Sequence, residues 1–151
     1  KAGSYGAGDF EVAQMLQHQG VDYLAVAFAD EGVLLRERGI TMPIVVLNAD
    51  ADSFDQMIAN RLEPEIYSFR SLADFADAVS HAGETRYPVH IKLDTGMHRL
   101  GFMEEEIGRL CEVLPTLQTR IFIFLSPVRK IFFTPLLYNG TRASAYKFAK
   151  N

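Results

Sequence analysis

The segment VHIKLDTGMHRLGF, residues 89–102, governs how the rest of this chain of 151 residues is read. Val89, Ile91 and Leu93 alternate with His90, Lys92 and Asp94, the period of two that marks a β-strand. One face of that strand is expected to be apolar and the other to carry a histidine, a lysine and an aspartate. Charged residues are seldom fully buried, so an exposed edge strand would account for the polar face. A face directed at chemistry would account for it equally. Thr95 and Gly96 form a turn, and Arg99 follows just past the strand's end, where the loops of α/β proteins gather their functional groups.

Outward from this strand the chain keeps one rhythm. Asp9 is placed to cap a helix in which Phe10, Ala13 and Leu16 recur at helical spacing, with Gly20 as its left-handed stop. Residues 21–28 read as a strand, 30–38 as a helix ended by Gly39, and 42–47 as a strand rich in β-branched residues. Ser53 with Gln56 and Ser71 with Asp74 resemble capping boxes, opening helices that continue to about Arg61 and His81. A short strand over 65–69 lies between them, preceded by Pro64. After the strand at 89–94 come a helix over 104–114 and a strand over 120–125.

Strand starts near 21, 43, 64, 88 and 120 leave room for one helix in each gap, which predicts consecutive βα units and a parallel sheet. A doubly wound sheet and a TIM barrel both fit. No G-x-G-x-x-G opens the first helix, which removes the usual support for a dinucleotide fold. Five strands cannot close an eight-stranded barrel, so a barrel reading implies an incomplete TIM (β/α)8 barrel of five to six βα units, with first and last strands missing.

Composition sets further bounds. The chain is 48% hydrophobic and 23% charged, as in globular proteins, and no apolar run is long enough to suggest a membrane span. It opens with KAGSYGAGDF and has neither an initiator methionine nor a visible signal peptide, so it is read as a fragment of something longer, from a cytoplasmic protein. Cys111, the lone cysteine, excludes an internal disulfide and is expected in the core beside Leu110 and Leu114. His18 and His81 are expected at helix ends, solvated or capping. Residues 1–118 hold nine Lys/Arg and nineteen Asp/Glu, a net −10, whereas residues 119–151 hold six Lys/Arg and no acid, a net +6. The basic residues of that tail are interleaved with apolar bursts rather than clustered, which argues against a nucleic-acid or membrane tail.

The opening octet KAGSYGAG precedes the first helix, and its three glycines allow a tight turn or a close approach to a ligand. Lys1 could act as a nucleophile and Tyr5 could donate its hydroxyl to an anion. A flexible turn would use the same residues, and this is no Walker loop, since G-K-[ST] is lacking.

KAGSYGAG followed some ninety residues later by IKLDTGMHRLGF resembles the alanine racemase family, pyridoxal-phosphate enzymes with a TIM-barrel N-terminal domain. Residues 21–48, VDYLAVAFADEGVLLRERGITMPIVVLN, are similar to that family's second and third βα units. The likeness covers roughly residues 1–118 and looks closest to versions fused behind a cell-wall peptide ligase. The resemblance implies that Lys1 carries pyridoxal 5'-phosphate and serves as one of two acid/base groups at the α-carbon of alanine. It implies that Tyr5 hydrogen-bonds the cofactor phosphate and that Arg99 approaches the cofactor's phenolic oxygen. Lys92 matches a lysine carbamylated in many members to hold that arginine; if it stays unmodified, an anion from elsewhere must take that part. His98 falls at a variable position of the motif and receives no role. The resemblance further implies alanine as substrate, a homodimer and a part in peptidoglycan synthesis, with no metal.

The family's Ser-His-Leu-like segment after the sixth strand has no counterpart beyond Thr119, nor does the arginine facing the pyridine nitrogen or the C-terminal domain with the second base. Residues 119–151 are therefore expected to be an atypical tail of frameshifted or chimeric origin, and the segment alone is expected to be inactive. A non-catalytic barrel that binds pyridoxal phosphate, and another enzyme of the barrel class such as an amino-acid decarboxylase, are the alternatives.

Overall fold

The computed structural model describes residues 2–117 and 119–125, with Ala2 and the last strand described by backbone alone. Lys1 and the tail from residue 126 lie outside the described residues. The elements alternate strictly: α1 (Asp9–His18), β1 (Leu24–Val26), α2 (Ala29–Glu37), β2 (Ile44–Val46), α3 (Phe54–Ala59), β3 (Glu63–Ile66), α4 (Phe69–His81), β4 (Tyr87–Leu93), α5 (Ile107–Val113) and β5 (Thr119–Leu125). All neighbouring strands pair in parallel, in the order β1-β2-β3-β4-β5.

That order separates the two architectures open from the sequence. A doubly wound sheet reverses its direction of growth at a switch point. Here each crossover moves one strand the same way, and right-handed crossovers of that kind put every helix on one side of the sheet. The result is an arc of a (β/α)8 barrel. Its strand β4 lies between β3 and β5, so the polar strand face quoted above does not belong to an edge.

The core sits between the helices and the outer face of the arc. Ile44 and Val46 of β2, Ile66 of β3, and Val89 and Ile91 of β4 are completely buried there, alternating with residues that face the barrel interior. Helix α4 turns Leu72, Phe75 and Val79 onto this layer, at helical spacing. Phe75 packs edge-on against Phe54 and Tyr87, with centroids 5.0 and 5.5 Å away.

Two polar devices pin the helices to the strands. The Arg36 guanidinium donates to four backbone carbonyls, those of Asn60, Ile40, Met42 and Arg61, tying the end of α2 to the end of α3 and the approach to β2. Burial lowers its pKa. The Tyr87 hydroxyl lies 3.0 Å from the Leu62 carbonyl and 3.2 Å from that of Met57, and burial pushes its pKa up. Tyr87→Phe is expected to cost about 1–2 kcal/mol, because a buried carbonyl loses its donor while the ring still packs. A urea titration reading no change in midpoint would contradict this.

Several local expectations shift by a few residues. Ser53 stands at the N-cap position of α3 as expected but makes no side-chain cap hydrogen bond; the turn that leads in is capped by Asp50, whose side chain accepts from Ser53 N at 3.0 Å. Helix α4 is capped by Ser68, accepting from Ser71 N at 3.1 Å, and Phe69 belongs to the helix rather than to the strand. Pro64 lies inside β3, paired with Val46, instead of before it. Asp9 is the first residue of α1, with Gly8 at the cap position. Strand β1 is three residues long rather than eight. Gly20 and Gly39 adopt positive φ at helix ends as expected. Cys111 is exposed, not core: on α5 the buried position is Leu110, one residue and about 100° earlier.

Candidate functional site

The interior face of the arc carries an ion-pair ladder. Glu63 and Glu65 stand two residues apart on β3, and His90 and Lys92 two apart on β4, with Glu65 in register with His90. His90 Nε2 lies 2.6 Å from Glu63 Oε2, and the Lys92 ammonium donates to Glu65 Oε2 at 2.7 Å. The Glu65 side chain is 0% exposed and that of Lys92 15% exposed. Glu65 Oε1 is buried with no hydrogen-bond partner. The ring of Tyr23 meets that of His90 edge-on at 5.3 Å.

Beyond Lys92 the strand runs into a loop that folds back on it. Asp94 N donates to Phe102 O, and Phe102 N donates to Lys92 O, both at 2.9 Å. The chain between is wound around the Asp94 carboxylate, which accepts from Gly96 N at 2.9 Å and His98 N at 3.0 Å, with His98 Nδ1 at 3.3 Å from its other oxygen. His98 takes φ 52° to do so. Phe102 anchors the loop from below, completely buried against Phe69 at 5.1 Å. Asp94, His98, Arg99, Leu100, Gly101 and Met103 line a shallow open cleft of about 240 Å³.

The two N–H groups, that of Gly96 first, hold the Asp94 carboxyl below its ordinary value of 3.8. A carboxyl depressed in the folded state stabilises the loop above that value, and the contribution disappears as pH falls through the lower native value. The Gly96 and His98 amide resonances are therefore expected to titrate with a midpoint below 3.8. A midpoint at or above it would contradict the wrapped geometry.

Residues 2–8 form the other loop at this end of the sheet, because the segment before α1 stands where loops after strands stand. Gly3, Ser4 and Tyr5 take φ of 56°, 47° and 60°, a left-handed run that non-glycine residues rarely adopt. The turn is held by Ala7 N to Ser4 O and Gly8 N to Gly3 O, and by Ser4 Oγ donating to Asp9 Oδ1 at 3.1 Å. Tyr5 is 83% exposed. A second cleft of about 220 Å³ between α1, β1 and α2 has its polar walls already engaged, Asp9 by Ser4 and Glu31 by the N–H groups of Ala27 and Phe28.

Of the residues singled out in the sequence, Tyr5 and Arg99 both stand on loops at the C-terminal end of the strands, and Lys92 lies inside the arc below Arg99's loop. Lys1 lies outside the described residues. Arg99 is exposed and makes no ion pair among the described residues; the partner of Lys92 is Glu65. Glu63 and Glu65 were not singled out. Their signal was a Glu-Pro-Glu strand, two carboxylates at the same period of two as His90 and Lys92 on the next strand.

A parallel barrel arc whose polar loops cluster at the strands' C-terminal ends is the frame of a barrel enzyme's site. The family described as "Alanine racemase, N-terminal domain" matches residues 1–125, and the chain belongs to that family. Alanine racemases from Thermodesulfovibrio yellowstonii and Geobacillus stearothermophilus are 44% and 42% identical to it over 108 residues. Those alignments cover 69% and 70% of this chain but 28% and 27% of the relatives, so the chain spans under a third of their length. The solved alanine racemase of Clostridium difficile 630 superposes with a TM-score of 0.74 at 34% identity, over 80% of this chain and 33% of that one. The enzyme from E. faecalis gives 0.70 at 29%, over 82% and 35%.

Proposed function

We propose that this chain is the cofactor-binding N-terminal part of an alanine racemase, interconverting L- and D-alanine in a longer protein and inactive as the isolated segment. The observation that carries the reading is the meeting of the loop over residues 2–8 and the loop over residues 94–102 at one end of the arc, in a chain matched by the family over residues 1–125. The donor set suits pyridoxal phosphate. Tyr5 is exposed and can offer its hydroxyl to a phosphate, and Arg99, exposed and without an ion pair among the described residues, can offer its guanidinium to an anionic ring oxygen.

Bound there, pyridoxal phosphate supplies an electron sink that acidifies the α-carbon of an amino acid. The protein's task is then placement and proton transfer. Lys1 holds the cofactor and moves a proton at the α-carbon on one face. Exchange of hand needs a second acid/base group on the opposite face, which we place in the rest of the longer protein. Lys92 backs the loop that carries Arg99. D-alanine made this way would serve peptidoglycan synthesis in the cytoplasm, and a site completed by a second subunit implies a homodimer. Among the described residues no helix is long and apolar enough to cross a membrane.

The longer protein containing this chain is expected to racemise L-alanine in the presence of pyridoxal phosphate, and Lys1→Ala to abolish that activity. Turnover unaffected by Lys1→Ala would sink the reading, and decarboxylation instead of racemisation would favour the sibling barrel enzymes. The family match and strand β5 carry the arc to residue 125, and for the residues beyond it we propose a frameshift, a chimeric junction or a mispredicted gene, which rests on the loss of every acidic residue from 119 onward; translating the coding DNA in all frames tests it.

A further inference from the structure

We propose that His98 is a positioning residue: its backbone N–H and its imidazole hold the two oxygens of Asp94, and that double hold fixes the direction in which Arg99 leaves the loop. His98 N donates to Asp94 Oδ1 at 3.0 Å, while Nδ1 of the same residue faces Oδ2 at 3.3 Å. The Asp94 side chain is 4% exposed and that of His98 70%, so an enclosed carboxylate holds a ring that would otherwise be free in solvent. An ionised carboxylate only accepts, which selects the imidazole form with its proton on Nδ1. Asp94 is the ring's one polar partner among the described residues.

The rest of the loop is tied at its ends. Asp94 and Phe102 bond to each other, Phe102 bonds to Lys92, and Gly96 N donates to the Asp94 carboxylate. Between His98 and Phe102, neither Arg99 nor Leu100 makes a backbone hydrogen bond among the described residues. The path through Arg99 is therefore set by the backbone at His98 on one side and at Gly101 on the other. Gly101 takes φ +134° with no side chain to oppose it, whereas His98 takes φ 52° against its own Cβ. Glycine at position 98 would reach that conformation more easily, so backbone ease alone does not call for histidine. What histidine adds is a donor three bonds from Cα. The side-chain nitrogen of asparagine stands at the same distance along the chain, and asparagine also accepts the left-handed conformation.

The test uses the full chain without cofactor and reads the ¹⁵N heteronuclear NOE of the Arg99 amide, which reports order on the picosecond-to-nanosecond timescale. In the wild type this value is expected to match those of the β4 amides. His98→Gly, which eases the backbone and removes the donor, is expected to lower it to that of a loose loop, and His98→Asn to keep the wild-type value. Capture of pyridoxal phosphate, followed by its absorbance band, is expected to be roughly three- to tenfold weaker in His98→Gly and unchanged in His98→Asn. If His98→Gly fails to fold by circular dichroism, His98→Ala takes its place with the same expectations, since it keeps the backbone cost and loses the donor. An Arg99 amide already loose in the wild type would overturn the proposal, as would unchanged order in a folded His98→Gly or an asparagine variant that behaves like the glycine one. Capture that is equal in His98→Gly and a wild type that binds would overturn it too. The inference rests on the racemase reading only for the use made of Arg99. A wild type that captures no cofactor would sink that reading, while the NOE values would still decide the part played by His98.

Discussion

Lys92→Ala is expected to destabilise the fold by about 3–5 kcal/mol, the range for stripping one partner from a buried ion pair. The cost arises at Glu65 rather than at the lysine. The carboxylate is wholly enclosed, and the Lys92 ammonium is its one donor among the described residues, so removal leaves a desolvated charge without that partner. Taking away both charges behaves differently. The double variant Glu65→Leu with Lys92→Met keeps the volume without the desolvation penalty and is expected to lie within about 1 kcal/mol of the wild type. Urea midpoints of the two variants decide the matter: a single variant as mild as the double one would mean that the pair is solvated and the ladder unimportant.

Gly101→Ala is expected to open the loop that carries Arg99. Gly101 sits at φ +134°, a conformation that costs a residue with a side chain of order 1–3 kcal/mol. An added Cβ would also lie 2.5 Å from Asp94 N and 2.8 Å from Leu93 C, backbone atoms that cannot swing aside. The hydrogen bonds between Asp94 and Phe102 and between Phe102 and Lys92 are therefore expected to break, seen as loss of amide-exchange protection at Asp94 and Phe102. Gly83→Ala is the control, since its φ is +70° with nothing within 4 Å, so it carries only the left-handed cost of about 1–2 kcal/mol. Equal protection in Gly101→Ala and the wild type would show that the loop is not clamped by this close approach.

The fold was legible because its signals are local. Alternation at Val89, Ile91 and Leu93, glycine stops at Gly20 and Gly39, and one helix per gap were enough for consecutive βα units. Strand order was not legible, since both candidate sheets share that rhythm and only pairing across distant segments distinguishes them. Ser53 was placed correctly at the start of α3, but the hydrogen-bonding caps at Asp50 and Ser68 were missed, because several small polar residues compete for one position and the entering chain direction decides. At the site, the loops bearing Tyr5 and Arg99 could be read from two motifs. The carboxylates of Glu63 and Glu65 could not, because Pro64 suggested that the strand began after it and so concealed that Glu63 faces His90.

The most direct test of the central claim is capture of pyridoxal phosphate by this chain. After incubation with the cofactor, borohydride reduction and peptide mapping, the label is expected on the side chain of Lys1, with an absorbance band of lysine-bound cofactor before reduction that is absent in Lys1→Ala. A folded chain that shows no band, or whose label is spread over its other lysines and is undiminished by Lys1→Ala, would contradict the account.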